Sequence, residues 1–424
     1  MKKPISVVGS GYVGLVTGIA FADLGHKVIF IDVVEDKISS INNGKPPIYE
    51  KGLAELMEKN RDRYYATGDY GEGIGNSQIT IIAVGTPSRE DGSIDLKYVR
   101  EAARSIGKEL RKKEDWHTVI VKSTVLPGTT EEVVKTVLEE ESGKTAYRDF
   151  GLGMNPEFLR EGRALEDFFN PDRIVLGAND ERTMRDMEEL YSSFRAPLVK
   201  TDIKTAEAIK YVSNAFLALK ISFANEIGNY CKKKGIDTWK VFEAVGMDKR
   251  INPSFFRSGI GFGGSCFPKD VRALVNDFGK VGISARITRG ILEVNDEQPL
   301  KAVELLQKHL QVLEGRTIGI LGLAFKPDTD DIRESRAIPI ISELIKRGAK
   351  VKAYDPMATM NFRKIFPDIT YTERPEDVLD SDAVVIVTEW EEFEKIDYSG
   401  KIVVDGRRVE KAMKTARIYE GVCW

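Results

Sequence analysis

Histidine is nearly missing from this chain: His26, His117 and His309 are the only three in 424 residues, and none stands in a motif. That removes the commonest general base from the candidates. Cysteine is as scarce, at positions 231, 266 and 423, too few and too scattered for a disulfide framework or a zinc-ligand spacing. No metal is therefore expected, and a reducing cytosol is the natural compartment. Neither sign of charge dominates. Lys plus Arg (63) against Asp plus Glu (66) leaves a net −3, which gives neither nucleic acid nor an anionic membrane a reason to bind. Long apolar runs are absent too, and Met1-Lys2-Lys3-Pro4-Ile5-Ser6-Val7-Val8 enters a strand where an exported protein would carry an apolar signal core. The expectation is a cytoplasmic protein without metal, nucleic-acid or membrane partners.

What is present is enough apolar residue, 42% of the chain, to build two or three cores. Ile5–Val8 reads as a short buried strand, Gly9–Gly14 as a turn, the stretch to about Leu24 as a helix and Lys27–Asp32 as a second strand. Apolar runs at Ile79–Val84 and Thr118–Val121 alternate with amphipathic segments at Leu96–Leu110 and Thr130–Glu140, the pattern of β-α-β units in a parallel sheet. It returns at Thr317–Leu321, Ala337–Lys346, Lys350–Tyr354 and Ala383–Val387. Between the two, Ile203–Lys234 lacks proline and carries Ala206, Ile209, Val212, Ala215, Phe216, Leu219, Phe223 and Ile227 at helical spacing, which predicts a long buried helix that links the domains or forms a dimer seam. The fold class expected is α/β: two Rossmann-like doubly wound domains, 1–200 and 313–424, joined by a helical part, 201–312, built on the long central helix.

Gly9-Ser10-Gly11-Tyr12-Val13-Gly14 has the form of a dinucleotide fingerprint: a tight turn at Gly9, a bare Cα at Gly11 for close pyrophosphate approach, and Gly14 for helix–strand packing. It follows a strand, precedes a helix and is answered by Asp32 at the end of the second strand, where a carboxylate can bond both hydroxyls of an adenine ribose. The acid opposes a 2′-phosphate, so the cofactor expected is NAD. Lys37 reads as a solvated helix residue, yet stands near enough to Asp32 to be kept on the cofactor side.

Cys266 sits in Gly259-Ile260-Gly261-Phe262-Gly263-Gly264-Ser265-Cys266-Phe267-Pro268-Lys269-Asp270, a glycine-rich loop that delivers one thiol to the start of a helix. A helix N-terminus and a nearby ammonium favour the thiolate; the alternative is an ordinary small hydrophobe in a turn. Lys210 and Asn214 lie four apart on the long helix, and an amine and an amide there are costly to bury without purpose. Either they serve an oxyanion and a proton transfer or the lysine snorkels at a helix edge. In Asn155-Pro156-Glu157-Phe158-Leu159-Arg160-Glu161-Gly162 the two carboxylates would share a face if the segment were a helical turn, for water positioning or for surface salt-bridging. Gly319–Lys326 is like a second fingerprint without its spacing, and Lys326 with Asp328–Arg336 follows a strand's carboxyl end, as a ligand site or as a solvated loop.

Together these motifs, in this order and over essentially the whole chain, resemble the nucleotide-sugar 6-dehydrogenases. The resemblance implies oxidation of a sugar's C6 alcohol to the carboxylate with two NAD, through a thiohemiacetal and a thioester on a cysteine. On the matching positions it implies Cys266 as nucleophile, Lys210 as base and oxyanion partner, Asn214 on the same oxygen, Asp270 supporting Lys210 or the water, and Glu161 and Thr124 orienting that water. The cofactor side would comprise Gly9, Gly11, Tyr12, Val13, Gly14, Asp32, Lys37, Thr86, Thr124, Glu161, Lys269 and Arg333. The sugar nucleotide would meet Glu157, Phe158, Leu159, Lys210, Asn214, Arg250, Phe255, Gly263, Lys326 and Arg407, with Arg408 the competitor of Arg407. Gly261–Asp270 with Arg160-Glu161-Gly162 is most similar to the branch acting on UDP-glucose. Branches acting on GDP-mannose or UDP-N-acetylhexosamines share the chemistry, and a catalytically silent sugar-nucleotide sensor is the rival of another class. A homodimer through the central helix and a UDP-sugar-binding role for 313–424 complete what the resemblance implies.

Overall fold

The computed structural model describes residues 2–424, which divide into two compact units, one ending at Val212 and the other spanning Ser213–Trp424. In the first, β1 (Ile5–Val8), β2 (Val28–Ile31), β3 (Tyr64–Thr67), β4 (Ile79–Ile82), β5 (Thr118–Val121), β6 (Gly151–Met154), β7 (Ile174–Ala178) and β8 (Leu198–Thr201) form one sheet in the order β3-β2-β1-β4-β5-β6-β7-β8, with β7 antiparallel to β6 and the other pairs parallel. β1, β2, β4 and β5 are buried at all four positions, because helices cover both faces of a parallel sheet. Alternation then divides the core. Ile5, Val7, Phe30 and Ile81 pack with helix Tyr12–Asp23, whereas Val8, Ile31, Ile82, Val119 and Val121 pack with helix Lys97–Leu110.

The second unit holds β9 (Thr317–Leu321), β10 (Lys350–Tyr354), β11 (Thr370–Tyr371), β12 (Ala383–Ile386), β13 (Ile402–Asp405) and β14 (Ile418–Gly421), all parallel, ordered β11-β10-β9-β12-β13-β14. Both sheets thus reverse direction beside their first strand, and that reversal opens a crevice at the strands' carboxyl ends. The architecture is two Rossmann-like doubly wound sheets with a long helix, Ile203–Lys234, between them in the chain.

Two local expectations change. The central helix is not buried along its apolar stripe: Val212, Phe216, Phe223 and Tyr230 are exposed, while Glu207, Lys210, Asn214, Lys220, Ser222 and Asn225 are buried. Each buried polar group for which a bond can be traced has a built-in partner, so burial follows hydrogen bonding and not apolarity on this helix. The segment Asn155–Arg160 forms no helical turn, so Glu157 and Glu161 do not share a helix face. Among the described residues no helix is long and apolar enough to cross a membrane, and no group of His, Cys, Asp and Glu is disposed to hold a metal ion.

Candidate active site

At the carboxyl end of β1, Gly9 takes φ +95°, a left-handed conformation, and its amide donates to Ile31 O (2.8 Å). A Cβ on Gly14 would run into the carbonyl oxygen of Gly9, so the helix can approach only as glycine, while a Cβ on Gly11 would meet no atom within 4 Å. The helix starting at Tyr12 has no side chain capping its first amides. Those amides and the open space above Gly11 suit a pyrophosphate. Asp32 Oδ2 accepts from Ser10 N (2.8 Å) and Ser10 Oγ (2.5 Å), and Oδ1 from Val34 N (3.1 Å), with Lys37 Nζ 3.9 Å away. Burial pushes this carboxyl up, but the Ser10 and Val34 donors and Lys37 outweigh it and hold it below the usual carboxylate range. These residues fit a dinucleotide with free ribose hydroxyls. Tyr12 offers its backbone only: its hydroxyl bonds Glu50 and accepts from Gly162 N (2.9 Å). Val13 is half-buried beside it, and Thr86, Thr124 and Glu161 lie on the loops that leave β4, β5 and β6 at the same edge.

That edge also carries a buried charge cluster. Lys210 Nζ lies 3.0 Å from Glu157 Oε1, with side-chain exposures of 5% and 7%. Leu159 N donates to Glu157 Oε2 (2.6 Å), and Lys210 Nζ sits 5.5 Å from the Phe158 ring centre. Burial pushes the Glu157 carboxyl up, and Lys210, the Leu159 amide and Lys122 together pull it below its ordinary value. Lys122, which sequence reasoning passed over, is buried with Nζ on Asn155 Oδ1 (2.9 Å); burial pushes its ammonium down to about 8. Glu207, one turn before Lys210, was also passed over. It accepts from Gly128 N (2.6 Å) and Thr130 N (2.8 Å), tying the central helix to the loop behind Thr124, and burial pushes its carboxyl up to about 7.

In the second unit Cys266 stands at the N-cap of helix Phe267–Lys280, with Pro268 in the first turn. It is exposed, whereas Cys231 and Cys423 are buried. Asp270, 1% exposed, accepts from Asn214 Nδ2 (2.6 Å) and pairs with Lys269 Nζ (2.6 Å), so three of the expected residues meet there. The glycine loop before the thiol is gripped along its length. Gly259 N donates to Asn225 Oδ1 (2.7 Å), Gln298 Nε2 to Gly259 O (2.6 Å), Phe262 N to Asn295 Oδ1 (2.7 Å) and Gly264 N to Arg333 O (2.9 Å). A Cβ on Gly263 would strike Glu334 O, and one on Gly264, at φ +84°, the Phe325 ring. Asn225, Asn295, Gln298 and Glu334 are the residues missed here; for Asn225 the signal was its place on the helix face of Lys210 and Asn214. Arg407 is turned toward the loop, Nη1 lying 3.5 Å from Gly261 O, while Arg408 points to Asp237 (3.6 Å) and stacks on Trp239. Phe255, at φ +68°, lies 6.2 Å from Phe267, ring to ring, and Lys326 Nζ sits 5.6 Å from the Phe325 ring centre. Arg250 and Arg333 are exposed, and their side chains fold back as forks on Asp248 and Asp331.

The NAD binding domain of the UDP-glucose/GDP-mannose dehydrogenase family matches residues 3–195, its central domain 204–297 and its UDP binding domain 319–412. The chain belongs to this family. It is 46% identical over 417 residues to UDP-glucose 6-dehydrogenase AglM of Haloferax volcanii, covering 96% of both chains, and 42% identical to UDP-glucose 6-dehydrogenase TuaD of Bacillus subtilis, covering 100% of this chain and 93% of that one. The structure of a UDP-glucose dehydrogenase from the archaeon Pyrobaculum islandicum superposes with a TM-score of 0.97 at 48% identity, over 100% of this chain and 98% of that chain. As a family member the chain is an NAD-dependent oxidoreductase, and NAD is its cofactor.

Proposed function

We propose that the chain oxidises UDP-glucose to UDP-glucuronate. NAD would be held by Gly9, Gly11, Gly14 and Asp32 and would supply the hydride acceptor for C6, two NAD serving each sugar. The observation that carries the reading is Cys266: the exposed cysteine of the three, at a helix N-terminus, on a loop whose glycines are dictated by their neighbours. A simple alcohol dehydrogenase has no use for such a thiol. In this reading Lys210 helps remove the C6 hydroxyl proton, and the Cys266 thiolate adds to the aldehyde carbon before the aldehyde escapes. Asn214 and Lys210 bond the oxygen of that adduct. After the second oxidation, a water held by Thr124, Glu161 and Asp270 cleaves the thioester. Asn214, fixed on Asp270, and Lys210, fixed on Glu157, are preorganised for these parts. Glu157, Phe158, Leu159, Phe255, Gly263, Lys326, Arg250 and Arg407 are assigned to the sugar nucleotide, with Arg407 preferred over Arg408 because of its direction.

Offering UDP-glucose, GDP-mannose and UDP-N-acetylhexosamines with NAD tests the reading. UDP-glucose is expected to give two NADH per sugar, and Cys266→Ala to give no acid while still binding NAD. One NADH per sugar with free aldehyde would end the thioester step; preference for another sugar nucleotide would move the chain to a sister branch; no turnover of any would favour a sensor. The enzyme is assigned to the cytoplasm. A homodimer through the central helix is supported by Phe216, Phe223 and Tyr230, exposed apolar residues at seven-residue spacing; sedimentation of a monomer would reject it.

A further inference from the structure

Glu334 is the residue on which the cysteine loop and the cysteine helix converge. Its carbonyl oxygen occupies the space a Cβ would need at Gly263, and the residue before it, Arg333, accepts Gly264 N (2.9 Å). Its carboxylate receives Arg272 of helix Phe267–Lys280, Nη1 to Oε1 at 2.7 Å and Nη2 to Oε2 at 3.4 Å. Arg336, 5% exposed, holds it from the other side, Nη2 donating to Glu334 O (2.8 Å) and Oε2 (3.2 Å). Arg336 Nη1 also reaches Asn295 O (3.4 Å), and the Asn295 side chain bonds both the amide and the carbonyl of Phe262. Glu334 does this from a left-handed backbone, φ +53°, that a glutamate rarely adopts and that persists only when its surroundings impose it.

We propose that Glu334 is a positioning residue for the Cys266 thiol. Its carboxylate locks the cysteine helix through Arg272, its backbone seats Gly263 and Gly264, and the thiol between them is held in one place relative to the helix amides. The inference rests on Cys266 being the nucleophile. Two features separate it from a merely structural ion pair. The groups held are the two sides of the thiol and not two remote elements, and the backbone conformation is one that asparagine or glycine would accept more readily, so the glutamate stands there for its carboxylate.

The test compares Glu334→Gln, Glu334→Asn and Arg272→Met with the wild type in three measurements: kcat and KM with UDP-glucose and NAD, the rate of iodoacetamide labelling of Cys266 read by peptide mass, and the thermal midpoint. All three variants are expected to lose about 10- to 100-fold in kcat with KM changed by less than about threefold. Labelling of Cys266 at neutral pH is expected to slow by about fivefold as the thiol leaves the helix N-terminus. Arg272→Met reaches the same clamp from the other side if a Glu334 variant does not fold. Full kcat in the asparagine variant, which keeps the left-handed backbone, would overturn the proposal, as would unchanged labelling in all variants or kcat losses that only follow the thermal midpoint. Failure of the wild type to oxidise UDP-glucose would refute the proposed function, while the labelling comparison still decides the role of Glu334.

Discussion

The two sheets share a strand order and begin alike, yet they spend the same acid differently. Gly9 and Gly322 both follow the first strand at φ +95°, and each donates its amide to the last residue of the second strand, Ile31 or Tyr354. Each second strand is followed by an aspartate. Asp32 receives three hydrogen bonds, one of its oxygens taking only Val34 N. Asp355 is filled: Leu323 N, Ala324 N and Trp390 Nε1 reach Oδ2, and Met357 N and Ala358 N reach Oδ1. After Gly9 a helix begins within three residues, at Tyr12, whereas after Gly322 the chain runs as a loop to Ala337. A strand that turns straight into a helix leaves amides and a carboxylate for a ligand. A strand that opens into a loop uses the carboxylate to hold that loop, here the one carrying Glu334 to the cysteine.

The sharpest way to break this comparison is to remove both acids. Asp355→Ala strands five donors and is expected to cost about 3–5 kcal/mol of unfolding free energy, measured by urea denaturation. Asp32→Ala is expected to cost much less stability and to weaken NAD binding by about 10- to 100-fold in a calorimetric titration. Equal stability losses would mean that the two carboxylates do the same job. Next in size is a glycine pair within the first turn. Gly14→Ala meets Gly9 O and should lose about 3 kcal/mol. Gly11→Ala meets nothing and should change stability by less than about 0.5 kcal/mol while NAD affinity falls about tenfold. Loss of stability at Gly11 would show that the space above it serves packing.

A further comparison is a pair of opposite pH slopes at the ends of corresponding strands. Asp405, which ends β13, is buried, and burial pushes its carboxyl up to about 6 despite the amides of Arg407, Val409 and Arg408 and the Tyr419 hydroxyl. Because the unfolded chain ionises first, stability should fall as pH rises from the ordinary 3.8 through 6. Lys122, just past β5, is pushed down from 10.5 to about 8, so the folded chain loses its proton first and stability should rise between pH 8 and 10.5. The difference between wild type and Asp405→Asn should show the first slope, and that between wild type and Lys122→Met the second. A flat difference in either window would mean that the group titrates normally.

Much of this is legible in the sequence. The strands Ile5–Val8, Thr118–Val121, Thr317–Leu321 and Lys350–Tyr354 and the helices Ile203–Lys234 and Ala337–Lys346 lie where apolar runs, helical spacing and, for the central helix alone, the absence of proline predict them, since burial on both faces of a parallel sheet demands continuous apolar runs. The central helix shows where such reading stops. Its periodicity predicts the helix but the wrong inner face, because Glu207, Asn214 and Asn225 are buried by bonds to Gly128, Asp270 and Gly259, residues remote in the chain. Glu157 and Glu161 are similar: the spacing suggests a shared helix face, but the segment is not helical and Glu157 pairs with Lys210.

By itself, then, the sequence determined the two sheets, the dinucleotide turn with its acid and the thiol at a helix start, because each is written in neighbouring residues whose backbone preferences act locally. Tertiary structure alone decided that Asp355 is closed while Asp32 stays open, that Lys122 joins the charge cluster of Lys210 and Glu157, and that Glu334 seats the cysteine loop. Those outcomes depend on hydrogen bonds and buried charges between segments tens to scores of residues apart, and no local pattern encodes which partner a buried polar group will find.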